Sequence, residues 1–289
     1  MRALRTASMG AKTGLVGILL LWGIAAFGVD IKRPKEPVVV AGSQLALYLG
    51  APPNELFVYS FQNGVWKQIC FQIDEKEGGH YFGGSNGQWD AGDEICFMAA
   101  DVGDSAANHQ WIEDAVSLTH QRYQIKVTNP ATSPAKTGYA YIYRSSTLAV
   151  DGSVADYMHY SPAPGGASND TVQAKGYTLG HNSDAIADYL VLKNGNAASV
   201  DILDRWKFRY HGQYYGIPSF VYDDDEISAL SDSAMAVKNG RIRVIRKVDF
   251  SCRLRGFQIS PLTMYTMFYP YHSINTIKQN SLQQIFGLD

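Results

Sequence analysis

Carboxylates are concentrated around one glycine-rich loop, where they could bind a cation. They are Asp74, Glu75, Asp90, Asp93 and Glu94. Ca²⁺ takes about six to eight oxygen ligands from carboxylates, carbonyls and water. We therefore predict Asp74, Asp90, Asp93 and Glu94 as candidate calcium ligands. The regular spacing of a helix–loop–helix calcium loop is absent. The alternative, which is favoured, is that these side chains accept hydrogen bonds from backbone amides and order the loop.

Tyrosines and arginines near the C-terminal end of the chain suit a saccharide-binding surface. The predicted ligand-binding residues are Tyr265, Tyr269, Tyr271, Arg241 and Arg243. Aromatic rings stack on the apolar faces of pyranoses, and guanidinium groups make bidentate contacts with carboxylates. The alternatives are that the tyrosines pack in a core and that the arginines form a solvated sheet face paired with nearby acids.

The catalytic candidates carry a weaker signal. Tyr271 or His272, together with Arg253, could remove the proton next to a uronate carboxylate, which is the chemistry of a polysaccharide lyase. A glycoside hydrolase would instead need two carboxylates about 5 Å or about 6.5–9.5 Å apart, a separation that sequence spacing does not fix. The sequence has no HExxH, CxxC, Walker or dinucleotide-binding motif. Zinc, thiol-redox, NTPase and nicotinamide chemistry are therefore disfavoured, and no cofactor is predicted beyond the candidate Ca²⁺.

The N-terminal residues 1–28 are predicted to be a signal peptide. Arg2, Arg5 and Lys12 precede an apolar run that is shorter than the roughly 20 residues of a membrane-spanning helix. Its removal takes three positive charges and changes the net charge from −2 to −5. A mildly acidic protein is a poor general binder of nucleic acid. We therefore expect a secreted or periplasmic protein without a stable membrane span, with an uncleaved anchor as the alternative.

Two of the three cysteines occupy matching contexts, each directly before a phenylalanine. Cys70 and Cys96 are the candidate disulfide partners in an oxidising compartment. The alternative is a pair of buried free thiols, because a disulfide needs Cα atoms within about 7 Å. Cys252 has no matching context and is expected to be packed.

The elements that must position these residues are mainly strands. Asn63-Gly64 between two β-rich runs predicts a type I′ hairpin turn. Helical spacing is confined to residues 42–49 and 273–286. Many short strands separated by Gly, Pro and Asn predict an all-β protein, an antiparallel β-sandwich or supersandwich with few short helices. Its predicted regions are an N-terminal β domain with the acidic loop (29–150) and a second β-rich region (151–289), which could be an incomplete supersandwich.

Two groups of motifs carry a resemblance. The segments PVVV (37–40), GSQLALYLGAP (42–52), FQIDE (71–75) and WDAGDEICFMAADVGD (89–104) resemble uncharacterised secreted bacterial β-rich proteins with a Q-[IV]-D … D-x-x-D-E-[LI]-x-F pattern. The segment VKNGRIRVIRKV (237–248) resembles a strand of galactose-mutarotase-like carbohydrate-active supersandwich domains. This resemblance implies an exported, saccharide-associated β protein, and it assigns no functional residue.

The functional expectation is an exported carbohydrate-associated protein that binds a polysaccharide or glycan, with binding favoured over catalysis. Whether the protein is an enzyme stays open. The alternatives are a polysaccharide lyase or hydrolase acting on acidic glycans, and a structural cell-surface component.

Overall fold

The computed structural model describes residues 29–162, 169–194, 199–207, 209–214, 217–223, 228–229, 235–254 and 257–279. The predicted signal peptide, residues 1–28, therefore lies outside the described residues. Within them the chain is all-β, its strands pair antiparallel, and its helical segments are short 3₁₀ turns. This confirms the predicted fold class. None of these helical segments is long and apolar enough to cross a membrane.

Seven strands form the N-terminal part of the fold. Their bounds are β1 Pro37–Ala41, β2 Leu56–Gln62, β3 Val65–Gln68, β4 Phe71–Asp74, β5 Glu94–Met98, β6 Tyr123–Asn129 and β7 Lys136–Arg144. One sheet has the order β1-β5-β4 and the other has the order β3-β2-β7-β6. A single buried core contains Phe71 and Phe97 from the first sheet and Phe57 and Ile142 from the second. The two sheets therefore face each other across an apolar layer, as in a β-sandwich.

The predicted hairpin turn is present, although the strand after it is shorter than the sequence suggests. Asn63 has a φ of 54° and Gly64 a φ of 80°, and both are positive, as a type I′ turn requires. The apolar run after the turn is divided between β3 and β4, which belong to different sheets. The chain passes from one sheet to the other at Ile69 and Cys70, so these two residues connect the two layers.

The remaining strands form the second β-rich region. Their bounds are β8 Met158–Ser161, β9 Thr171–Ala174, β10 Tyr177–His181, β11 Ala187–Leu192, β12 Arg209–Tyr214, β13 Ile217–Asp223, β14 Ser228–Ala229, β15 Met235–Lys238, β16 Val244–Leu254, β17 Phe257–Phe268 and β18 Ser273–Gln279. The sheet orders are β11-β10-β9-β8, β12-β13 and β14-β16-β17-β18, with β15 also paired to β16. Val172 and Tyr177 of the first of these sheets pack against Val244 and Phe268 of the last.

Both predicted helical segments need correction. Residues 42–49 contain two 3₁₀ turns, Gly42–Gln44 and Ala46–Tyr48. Residues 273–279 form β18, so the helix predicted over 273–286 is wrong in its described part. Ile274 and Ile277 suggested a helical period, but in the sheet they pair with Met267 and Met264 of β17. Long-range strand pairing therefore determines the local conformation, as is common for short apolar segments.

The sheet β1-β5-β4 is buried on both faces along its central strand, β5. Its outer face contributes Cys70, Cys96 and Met98 to an apolar cluster with Ile242 and Tyr269 from the C-terminal half of the chain. The two β-rich regions thus share a buried interface. The domain boundary near residue 150 stays a prediction.

A buried polar network crosses this interface. The Gln72 Oε1 atom accepts hydrogen bonds from the backbone N–H groups of Ile242 (3.0 Å) and Arg243 (2.9 Å). The Arg243 side chain is 1% exposed and ion-paired to Asp74 (Nη2–Oδ2 2.7 Å) and to Glu94. Burial opposes the charge on Arg243, but the surrounding anionic groups, Asp74 first among them, raise the pKa of the guanidinium, which keeps it charged. The network therefore fixes the start of β16 against β4 and β5.

We predict that Arg243→Ala lowers the free energy of unfolding by about 3–5 kcal/mol, because it leaves two carboxylates at a buried interface without their cation. Arg241→Ala is the matched control, because Arg241 pairs with the half-exposed Asp156 and exposed pairs contribute about 0–1 kcal/mol. Urea unfolding followed by circular dichroism measures both values. Equal losses for the two variants would contradict the assignment of the interface to Arg243.

Candidate functional site

A cleft of about 580 Å³ opens where the two β-rich regions meet. One wall comes from β2, β3 and the segment that connects β3 to β4, and the opposite wall comes from residues 154–159 and 173–175. Asp101 lies between the walls, at the end of the 3₁₀ turn Ala99–Asp101 that follows β5. The volume falls within the roughly 300–1,000 Å³ of typical small-ligand sites.

Backbone hydrogen bonds hold Tyr157 in the cleft. The Tyr157 N–H donates to the Arg241 carbonyl (2.9 Å), and the Tyr157 carbonyl accepts from the Lys175 N–H (3.0 Å). The position of this tyrosine is therefore set by main-chain groups on both sides of it. Its hydroxyl donates to Asp101 Oδ1 at 2.8 Å.

Asp101 has an incomplete set of hydrogen bonds. Its Oδ2 atom is buried and has no partner among the described residues. Burial raises the pKa of Asp101, although the Tyr157 hydrogen bond and the Lys175 charge act in the opposite direction. Burial and the Asp101 carboxylate also raise the pKa of Tyr157, so the phenol keeps its proton at neutral pH. The Asp101 Oδ2 atom thus lacks the hydrogen bond that most buried polar atoms have.

Cationic side chains line the same cleft. Lys67, Lys175 and Lys193 are exposed and line the cleft, together with His159. The Lys175 Nζ atom lies 4.7 Å from the centre of the Tyr157 ring, a cation–π contact. The second acid of the cleft, Asp156, is already paired with Arg241. The cleft therefore has an excess of positive charge.

Amide side chains brace the cleft wall. The Gln62 amide donates to Ser60 Oγ (3.1 Å) and to the Asp101 carbonyl (3.2 Å). The Gln68 amide donates to the Ala149 carbonyl (3.0 Å), and its oxygen accepts from the Asp151 N–H (2.6 Å). These bonds connect the wall to Asp101 and to the chain that leads into the second region, which restricts the shape of the cleft before a ligand arrives.

The two candidate disulfide cysteines are free and buried, so the disulfide interpretation is wrong and the alternative of buried thiols describes them. Cys96 pairs with Gln72 in the sheet, which puts Cys70 at a diagonal position. Diagonal residues are about 7–8 Å apart, beyond normal disulfide reach. Burial raises the pKa of Cys70, which lines the cleft, to about 11, so its thiol is a poor nucleophile at neutral pH. The side chain of Cys252 lies outside the described part.

The predicted saccharide-binding residues do not form one surface. Arg243 and Tyr269 are buried, with the Tyr269 hydroxyl 3.3 Å from Arg243 Nη1, so assigning these two to a ligand surface was wrong. Tyr265, Tyr271 and Arg241 are half-buried. None of the five is among the described residues that line the cleft.

Of the predicted catalytic residues, Tyr271 and His272 are not among the described residues that line this cleft. His272 is exposed, and its ring stacks on Tyr269 with centroids 4.9 Å apart. Tyr271 packs against Gly176, where a Cβ atom would lie 2.7 Å from the tyrosine ring. The Arg253 side chain lies outside the described residues. Their proposed joint role in proton abstraction stays untested.

The predicted calcium ligands are separated by their own partners. Asp74 and Glu94 pair with Arg243, whereas Asp93 accepts from the backbone N–H groups of Lys76 and Asp90 (both 2.7 Å). Asp90 accepts from Asn86 Nδ2 at 2.7 Å. The described residues contain no group of three or more His, Cys, Asp or Glu side chains that could hold a metal ion. The hydrogen bonds of Asp93 support the loop-ordering alternative for this residue, and the calcium site stays a prediction.

Sequence reasoning missed Asp101, Tyr157 and Lys175. Asp101 belongs to the motif-bearing segment 89–104, but no spacing rule separates it from the structural carboxylates around it. Tyr157 and Lys175 flank a Gly/Pro/Ser-rich stretch that reads as a connection between domains. One signal in the sequence could have found them. Tyr157 and Lys175 lie next to the predicted boundary between the two β-rich regions, and ligand sites are common at domain interfaces.

Comparison of the chain with protein-family models, curated proteins and solved structures gives no match. The functional argument therefore depends on the residues of the cleft.

We predict that Asp101→Asn stabilises the protein at neutral pH. Because burial raises the pKa of Asp101, the folded protein holds this proton more tightly than the unfolded chain, and ionisation costs stability. The stability cost of ionising Asp101 is absent below the pKa that Asp101 has in the unfolded chain. It is complete above the raised pKa that Asp101 has in the folded protein. The variant should gain on the order of 1 kcal/mol in the free energy of unfolding at pH 7 and little near pH 3.

Urea unfolding at the two pH values measures this difference. Asp156→Asn, which changes the other acid of the cleft, is the control and should lack this gain. A loss of stability for Asp101→Asn at pH 7 would show that Asp101 has a structural role.

Proposed function

We propose that this protein is an exported binding protein for acidic saccharides and that the Asp101–Tyr157 cleft is its binding site. The observation that carries the proposal is the combination of a buried, unpartnered carboxyl oxygen with three exposed lysines in one cleft. A sugar hydroxyl can donate to Asp101 Oδ2, while carboxylates on the same ligand meet the lysines. A neutral saccharide can donate a hydroxyl to Asp101 but has no carboxylate for the lysines.

The arrangement favours binding over catalysis. A lyase needs a side chain that accepts a proton at working pH, and the raised pKa of Tyr157 keeps its phenol protonated. A hydrolase of the usual kind needs a second free carboxyl group across the substrate, whereas Asp156 is paired with Arg241. The cleft therefore has groups that hold an acidic saccharide, and neither Tyr157 nor Asp156 supplies a free proton acceptor.

Export is part of the proposal. It is supported by the basic and apolar pattern of residues 1–28. The resemblance of residues 237–248 to saccharide-associated supersandwich strands also supports a glycan ligand.

We expect the purified protein to bind oligogalacturonate in isothermal titration calorimetry and to bind neutral cello-oligosaccharides much more weakly. Lys67→Gln combined with Lys175→Gln should weaken oligogalacturonate binding by roughly tenfold, because each partly exposed ion pair contributes up to about 1 kcal/mol. Added salt should weaken binding by the unaltered protein through screening. Asp101→Asn should also weaken binding, although it stabilises the fold.

Lys126→Gln is the matched control, because Lys126 is exposed on β6, away from the cleft residues. Equal effects of Lys126→Gln and the cleft substitutions, or equal binding of neutral and acidic oligosaccharides, would contradict the proposal. Ultraviolet absorbance from an unsaturated product would identify a lyase instead. Concentration-dependent oligomers without saccharide binding, seen by sedimentation, would favour a structural component.

A further inference from the structure

A second cavity, of about 160 Å³, lies between the sheet β11-β10-β9-β8 and the C-terminal strands β17 and β18. It shares no described lining residue with the Asp101–Tyr157 cleft. Most of its wall is apolar and comes from Leu179, Ala187, Leu203, Trp206, Met264 and Phe268. Its polar lining residues are His181, Thr266, Ser273 and Asn275, and the Thr266 hydroxyl donates to Asn275 Oδ1 (2.8 Å).

The imidazole has a defined orientation. His181 is 5% exposed, and its Nδ1 atom lies 3.2 Å from Asp170 Oδ1 without the alignment of a full hydrogen bond. The His181 ring meets Phe268 edge-on, with centroids 5.8 Å apart. Asp170 does not line the cavity. Because Nδ1 faces Asp170, Nε2 is the nitrogen left for the cavity.

The charge state of the neighbours fixes the tautomer. Arg246 binds both oxygens of Asp170, with Nε 3.0 Å from Oδ2 and Nη2 2.9 Å from Oδ1. Burial opposes ionisation of Asp170, but His181 and Arg246 lower its pKa, so it is a carboxylate. Burial and the Arg246 charge lower the pKa of His181, so its ring is neutral. A neutral imidazole with Nδ1–H towards a carboxylate presents Nε2 as a hydrogen-bond acceptor.

We propose that this cavity binds a small aromatic alcohol, with one ring among the apolar side chains and its hydroxyl donating to His181 Nε2. Size supports a single ring, because an apolar protein cavity of about 150 Å³ accommodates benzene. The acceptor nitrogen makes no hydrogen bond within the described residues, and an O–H group on the ligand satisfies it. Two features thus define the ligand class: ring size and one donor.

Phenol is the test ligand, and toluene is its matched partner without the donor. Titration of the full-length protein, labelled with ¹⁵N in histidine and followed by NMR, should give a saturable phenol-dependent shift of the His181 Nε2 signal. Toluene should bind roughly tenfold more weakly, as expected for the loss of one hydrogen bond. Non-saturable shifts, or equal affinities of phenol and toluene, would overturn the proposal.

Two variants keep the result interpretable. Ala187→Leu reduces the cavity volume and should abolish binding of both ligands, whereas His181→Phe keeps a ring in the wall and should remove the preference for phenol. Calorimetry measures both variants, and thermal unfolding checks that each one folds. Unchanged phenol affinity in the folded form of either variant would overturn the assignment of the ligand to this cavity.

Discussion

The buried position of Arg243 is the constraint on which the arrangement of the two β-rich regions depends. A guanidinium group that is 1% exposed is tolerable only when anionic partners replace its lost hydration. Those partners, Asp74 and Glu94, belong to β4 and β5. Gln72 adds a hydrogen-bonded connection to the main chain at residues 242 and 243. The interface is therefore specified by polar geometry as well as by apolar contact.

The Asp101–Tyr157 cleft lies where the same two β-rich regions meet. Arg241 is two residues before Arg243, and its carbonyl positions Tyr157. The packing that buries Arg243 thus also places a phenol beside Asp101. Most buried polar atoms in folded proteins have partners, so the unpartnered Asp101 oxygen is a local cost that the fold carries. Such exceptions tend to occur where a ligand completes the structure.

The fold class could be predicted from the sequence because strand and turn signals are local. Asn63 and Gly64 adopt positive φ angles for reasons contained in two residues. The helix predicted over 273–286 was wrong in its described part, residues 273–279, because pairing with β17 lies outside any local window. The roles of the arginines were also hidden. Alternation predicts one strand face for Arg241 and Arg243, but both precede β16, and carboxylates from distant strands enclose the second. Asp101 and Tyr157 are 56 residues apart in sequence, and no periodicity connects them.

The interface also has a consequence for the order in which the protein is made. The outer face of the sheet β1-β5-β4 carries Cys70, Cys96 and Met98, and its covering residues Ile242 and Tyr269 come from the C-terminal half of the chain. Gln72 and the backbone N–H of Ile242 are 170 residues apart. During translation the first half must therefore wait for the ribosome to deliver most of the second half, with an apolar face and two thiols uncovered. A partly made chain that exposes such an apolar face is prone to aggregate until its last strands emerge.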